Sequence, residues 1–437
     1  MTLLRRLIFQ NLIWRVLFYI SVLVQNIFIA RYFLAAHSGS LFFLANFFAL
    51  LLVFFSFCLE TGMGYYLASD RISAGKLTLF SIVWSLLIGL ICTLTMGILF
   101  KLSSVDISKS NFAFISLTFI IGNLLITYFS ALFYAKRNFI TPYVILIIVN
   151  IGVVALIPMA KVNVYQSIFE SSFAKIYFSS FLIQGLLLFA IFSFKYVSVR
   201  TVAILTRSEL KLLMIYSVWA FATSLISFLL FRIDYWFVNK YCSPVELGNY
   251  IQTSKIVQIF LVLPSIFSST VFPLIAGGAT NQMKDVIQTL SRIIFFVTSC
   301  FCLIGLLFGH WLFPAIFGSG FNLMHMVFVL LVPGMLIFCS ISPITAYFAG
   351  RKILHVNFVA SLIALLITLA GNIIFVPIYK IAGAAIISSL GYIVYAFMLM
   401  RYFVKETQST YSGFFFLKAS DLLWMRHFVS KQVRRQI

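Results

Sequence analysis

Twelve apolar runs, each close to the length that crosses a bilayer, occupy almost the whole chain and leave only short connections between them. They lie near 12–33, 41–59, 77–100, 112–134, 140–160, 173–194, 212–238, 250–274, 290–309, 322–348, 356–377 and 382–403. An apolar helix needs about 20 residues to traverse roughly 30 Å of hydrocarbon. With 437 residues shared among twelve runs, no sizeable domain fits outside the membrane. Composition agrees: 62% hydrophobic residues, 9% charged residues and a mean hydropathy of +1.09 exclude a water-soluble core. The expected fold is an all-α membrane protein of about 12 transmembrane helices.

The basic residues orient it. With the N-terminus in the cytoplasm, 21 of the 31 lysines and arginines fall at inner span ends, inner connections and the tail, and 7 at outer ones. That bias across short loops is a strong topological signal and predicts both termini in the cytoplasm. It also accounts for the net charge of +21, which faces anionic headgroups and calls for no nucleic-acid partner. Arg5 and Arg6 before the first run look like the start of a signal peptide. The run carries Arg15, is longer than an ordinary signal core and opens a series of spans, so it reads as an uncleaved helix.

The chain also repeats weakly. Ile29-Ala30-Arg31-Tyr32 aligns with Val238-Asn239-Lys240-Tyr241, and Gly39 with Gly248, both pairs at an offset of 209. Six spans per half keep the halves in one orientation, so the lobes should be related by a pseudo-twofold axis along the membrane normal. The expected divisions are an N-terminal six-helix lobe over 1–205, a C-terminal lobe over 206–404, and a basic cytoplasmic tail over 405–437 with a helix lying on the membrane surface.

Charges inside spans are costly, about 2.5–3.5 kcal/mol each at a helix centre and less near an end, so they are candidates for function. Arg15 lies one turn into the first span, Arg232 and Asp234 in the outer part of the seventh, Lys255 just inside the eighth, and Glu60 at the end of the second. Snorkelling to the nearer surface is the plain reading of the long basic side chains. The sharper one makes Arg15, Arg31, Arg232 and Lys255 a substrate site for a pyrophosphate, whose oxygens guanidinium groups bind in pairs. Asp234 and Glu60 are then candidates for a coupling ion, Na⁺ or H⁺, or for a structural ion pair, Asp234 with Lys255. Gln25, Asn26, Asn46, Asn150 and Asn372 are expected to bond between helices.

Catalysis has little footing. The five histidines are scattered, the six cysteines show no disulfide or metal spacing, and there is no phosphate-binding glycine loop. No catalytic residue, metal or resident cofactor is expected, and a glycan polymerase or ligase would need a larger outer loop than Lys161 to Ser172.

Several segments resemble a known family. Ile29-Ala30-Arg31-Tyr32-Phe33 followed by Gly39, Arg232-Ile233-Asp234-Tyr235-Trp236 leading to Val245-Glu246-Leu247-Gly248-Asn249-Tyr250, Ile316-Phe317-Gly318, and Gly371-Asn372-Ile373-Ile374-Phe375-Val376-Pro377 running into Ala382-Gly383-Ala384-Ala385 are similar to the O-antigen type polysaccharide flippases. Leu263-Pro264 and Phe272-Pro273 agree with it too. These belong to the multidrug/oligosaccharidyl-lipid/polysaccharide (MOP) exporter superfamily. The resemblance implies two lobes around a cavity that opens alternately to either side of a bacterial inner membrane. It further implies transfer of an undecaprenyl-pyrophosphate-linked oligosaccharide to the periplasmic leaflet, with membrane lipids, a polysaccharide polymerase and chain-length machinery as partners. Arg15-Val16-Leu17 and Lys255 also resemble basic positions of the lipid II flippases, but Leu50 to Phe55 carries no arginine where those proteins have one. A multidrug antiporter of the same superfamily is the rival expectation. Cationic drugs call for acidic cavities, whereas the in-span charges here are mostly basic.

Overall fold

A computed structural model of the chain describes residues 2–100, 109–159, 172–198, 201–262, 264–265, 283–351, 353–418 and 421. The described elements are helices: α1 (Thr2–Ser56), α2 (Leu59–Ala68), α3 (Ala74–Phe100), α4 (Lys109–Ala135), α5 (Ile140–Leu156), α6 (Ser172–Tyr196), α7 (Arg207–Arg232), α8 (Asp234–Tyr241), α9 (Pro244–Ile259), α10 (Met283–Phe317), α11 (Met324–Ser340), α12 (Ser342–Gly350) and α13 (Leu354–Thr407), with short 3₁₀ turns between some of them.

Among the described residues eight helices are long and apolar enough to cross a membrane, and the chain is a multi-pass membrane protein. The difference from the expected twelve has a structural cause. The first two expected spans run together in α1 and the last two in α13, each across one non-helical residue, Leu34 (φ 60°, ψ 176°) and Lys380 (φ 51°, ψ −134°). The fifth expected span is described as the shorter apolar α5, of 17 residues. The eighth, 250–274, is described only over 250–262 and 264–265; Leu263, Phe272 and Pro273 lie outside the described residues.

Leu34 follows Arg31 by three residues, and Cys242, extended at φ −120° and ψ 165°, follows Lys240 by two. The chain therefore breaks at matching places in the two halves of the repeat read from the sequence. After the second break Ser243 caps α9: its hydroxyl accepts the Glu246 amide, the Glu246 carboxylate accepts the Ser243 amide, and Pro244 opens the first turn.

The chain divides into two compact units, one of residues 1–228 with 316–320 and one of 229–315 with 321–437. The division falls within α7, because the first part of that helix packs on α2: a methyl at Gly62 would meet Ser217 and Leu213. In the first unit, α4 lies closest to α6 where Gly122 faces the Phe181–Leu182 backbone and Gly185 faces Leu125. Small residues of this kind let apolar helices approach when no hydrophobic force separates helix from lipid. Phe48 fills the space beside them, with its ring against Phe112, Phe119 and Phe178. Asn150 donates to Ser21 at 3.1 Å and accepts from Gln184 at 3.0 Å, tying α1, α5 and α6 through buried amides.

In the second unit the amide of Gly334 on α11 donates to the Ser389 hydroxyl of α13 at 2.8 Å. Beyond α13 the chain folds back. Gln408 ends the helix in a left-handed conformation and Phe414 is buried against Phe403. Arg292 of α10 is then held by Asp421 at 2.6 Å and by the Gly413 carbonyl at 2.8 Å. Arg292 is one of the 21 basic residues counted at inner connections, inner span ends and the tail, yet it is 4% exposed. The surface helix expected in the tail lies outside the described residues from 422 onward.

Candidate functional site

Asp234 opens α8 one residue after α7 ends, at a shallow break over Ile233. Its placement is set by three helices of the second unit. The Tyr250 hydroxyl of α9 donates to Asp234 Oδ2 at 2.5 Å, and the Ser388 hydroxyl of α13 donates to the same oxygen at 2.7 Å. Asp234 is 1% exposed, and its Oδ1 is buried without a hydrogen-bond partner among the described residues. The Tyr235 ring stands edge-on to Tyr250, with centroids 5.9 Å apart, and its buried hydroxyl forms no hydrogen bond of good geometry.

Asp234 takes part in none of the four ion pairs found among the described residues; its side-chain partners there are hydroxyl donors. A carboxylate out of water needs partners for its lone pairs. The arrangement supplies them on one oxygen and leaves the other open to a proton or a small cation.

The basic residues fall in two groups. In the second unit Arg232, the last residue of α7, and Lys255 of α9 lie within electrostatic reach of each other, and Arg232 also faces Tyr235 and Tyr392. Two cations brought together in a half-buried setting repel, and an anion between or beside them relieves that. In the first unit Arg15 is half-buried on α1, its guanidinium 5.9 Å from the Tyr19 ring, with Tyr134 of α4 in electrostatic reach. Arg31 is exposed one turn before the Leu34 break, where a methyl at Gly318 would come within 4.0 Å of its Cα.

Glu60 belongs to the first unit, on the first turn of α2, far in sequence from the Asp234 cluster. Among the polar candidates, Asn150 bonds between helices as expected, whereas Asn372 donates to Thr368 within its own helix at 2.8 Å. Among the described residues no group of three or more His, Cys, Asp or Glu could hold a metal ion. All six cysteines are free; Cys58, Cys92, Cys302 and Cys339 are buried, and Cys300 is exposed on α10.

Sequence reasoning missed all four charge pairs among the described residues: Arg292–Asp421, Lys76–Glu209 at 2.9 Å, Arg351–Glu406 and Lys136–Asp70. The available signal was the scarcity of acids: with only 10 in the chain, a carboxylate in a basic neighbourhood marks a specific partner.

No protein-family model and no curated protein matches the chain. Solved structures do. An inward-facing multidrug resistance MATE transporter of the MOP superfamily superposes with a TM-score of 0.71 at 12% identity, covering 89% of this chain and 94% of that one. The lipid II flippase MurJ, in an inward closed conformation, gives 0.70 at 16%, covering 92% and 88%. A MOP superfamily transporter from Pyrococcus furiosus, whose reversed binding-pocket polarity has been taken to suggest a different function, gives 0.58 at 14%, covering 93% and 96%. At these identities the likeness is one of fold. The fold is the one those transporters and that flippase share.

Proposed function

We propose that the chain is a flippase that carries an undecaprenyl-pyrophosphate-linked oligosaccharide from the cytoplasmic to the periplasmic leaflet of a bacterial inner membrane by alternating access. The observation that carries this reading is the pairing of two half-buried cations in the second unit: Arg232 and Lys255 lie within electrostatic reach of each other, while hydroxyls hold one oxygen of Asp234. Such a site suits a pyrophosphate, which offers anionic oxygens to guanidinium and ammonium groups. The likeness to a flippase of a lipid-linked substrate supports the same class.

Asp234 is the coupling carboxyl in this reading. An inward-moving Na⁺ or H⁺ releases about 2.3 kcal/mol per charge per 100 mV, enough to bias the cycle. Both termini lie in the cytoplasm, as the distribution of basic residues requires. A polymerase and chain-length proteins acting on the same glycan are the partners the reading calls for.

The likeness to MATE transporters favours one other reading, cation-coupled drug export. The two separate on one experiment. Loss of the gene should trap a lipid-linked glycan in the inner leaflet, seen by its inaccessibility to an added glycosidase in spheroplasts. Undiminished glycan on the outer face together with heightened drug sensitivity establishes the antiporter instead.

A further inference from the structure

A second polar cluster, in the first unit, surrounds Glu60, which the transport reading above leaves without a role. Between α1 and α2 two consecutive residues, Phe57 (φ 51°) and Cys58 (φ 50°), take left-handed conformations that side chains other than glycine rarely adopt. This break ends one helix and starts another inside what the sequence reads as the end of a span. The Cys58 amide turns to the Ser56 hydroxyl at 3.3 Å, and both the amide and the hydroxyl of Thr61 bond the Cys58 carbonyl, at 3.2 and 2.9 Å.

Glu60 follows at once. Its Oε2 is buried with no hydrogen-bond partner, and Glu60 belongs to none of the ion pairs among the described residues. The titratable groups facing it are the Cys58 thiol and the Tyr128 hydroxyl of α4; α3 contributes Trp84, beside Tyr128, and α7 contributes Ser224, beside Cys58, neither of which titrates. The Tyr128 hydroxyl and the Trp84 indole nitrogen are themselves buried without a well-formed hydrogen bond. The carboxyl therefore has an underserved oxygen, a thiol beside it and the Tyr128 hydroxyl in electrostatic reach.

The chemistry of that set discriminates between occupants. A hard cation gathers several oxygen ligands. Here Glu60 is the one carboxyl of the cluster and its side-chain partner is a thiol, a poor ligand for Na⁺, so the set suits a proton better than a hard cation. It is the right lining for a carboxyl that changes protonation. Ionised, Glu60 is served by the Cys58 thiol and by the start of α2, whose dipole favours negative charge, with the Tyr128 hydroxyl in electrostatic reach. Protonated, it donates, and the tyrosine oxygen accepts by rotating its hydrogen.

We propose that Glu60 is a proton-exchanging carboxyl in the first unit, separate from the Asp234 site in the second. As part of the coupling machinery it rests on the transport reading above, but its test reads the carboxyl itself and needs no substrate. The experiment is infrared difference spectroscopy on the purified full chain in detergent, stepped from mildly acidic to mildly alkaline buffer. A protonated-carboxyl carbonyl band that disappears on alkalinisation should be present in the wild type and in Asp234→Asn and absent in Glu60→Gln. Exchange of potassium for sodium at constant pH should leave it unchanged, and Tyr128→Phe should shift its frequency by removing a partner. Persistence of the band in Glu60→Gln, or its removal by sodium at constant pH, overturns the proposal. Should Glu60→Gln fail to fold, the Tyr128→Phe spectrum decides: an unshifted band there overturns it as well.

Discussion

Tyr250 and Asp234, on neighbouring helices of one unit, are joined by a 2.5 Å hydrogen bond, one of two from hydroxyls to this buried carboxyl among the described residues. Removing the donor should leave the carboxyl underserved. Tyr250→Phe is expected to cost about 1.5–3 kcal/mol, the usual range for a hydrogen bond to a charged group. Thermal unfolding in detergent reads the loss, and Ser388→Ala should show a similar one.

Asp234→Asn keeps the shape of the side chain and removes its charge. Transport in proteoliposomes should continue downhill and lose its dependence on an imposed Na⁺ or H⁺ gradient. Unchanged gradient dependence in this variant removes Asp234 from the coupling role.

The basic residues should matter for export and not for folding. Arg15→Ala and Lys255→Ala are expected to abolish delivery of lipid-linked glycan to the outer face with protein abundance intact, and Arg232→Lys to retain part of it. Surface-glycan staining beside an immunoblot makes the comparison. Normal glycan in both alanine variants sinks the assignment of these residues to the substrate.

The Arg292–Asp421 pair predicts an acid-dependent stability. The Arg292 guanidinium beside it is the main reason the Asp421 carboxyl is held below its ordinary value of 3.8. A depressed carboxyl contributes stability that is complete above its unfolded value and is lost as pH falls through and below 3.8. Asp421→Asn should therefore be less stable at neutral pH, by about 3–5 kcal/mol for a buried cation left without its partner. It should also be less sensitive to acid than the wild type. Melting temperature against pH for the two proteins checks both parts.

Gly122 tolerates no larger side chain. A methyl there would lie 2.4 Å from the Leu182 amide nitrogen, a backbone atom that cannot step aside. Gly122→Ala should cost about 1–3 kcal/mol, typical of overpacking. Gly152→Ala, with nothing within 4 Å, is the control that should be near neutral in the same melt.

Much of the fold was legible because hydropathy dictates it. Runs of apolar residues can only be helices in lipid, where every backbone polar group must be satisfied within the segment. The pairing of the first two and last two spans into continuous helices was not legible. Whether Leu34 or Lys380 becomes a loop or a one-residue kink depends on packing around it, not on the residue itself. For the site, Asp234 could be singled out by its cost in a span, yet its partners Tyr250 and Ser388 are ordinary residues 16 and 154 positions away in sequence. Arg292 read as a charge at the inner face because a buried cation and a surface cation are the same letter until the counter-charge is found.

The segment that folds back after α13 has a practical corollary. A purification handle or fluorescent reporter fused directly after Thr407 strips a buried guanidinium of both its carboxylate and its carbonyl. Expression screens that truncate there would score a healthy protein as unstable, so the fusion point has to fall beyond Asp421.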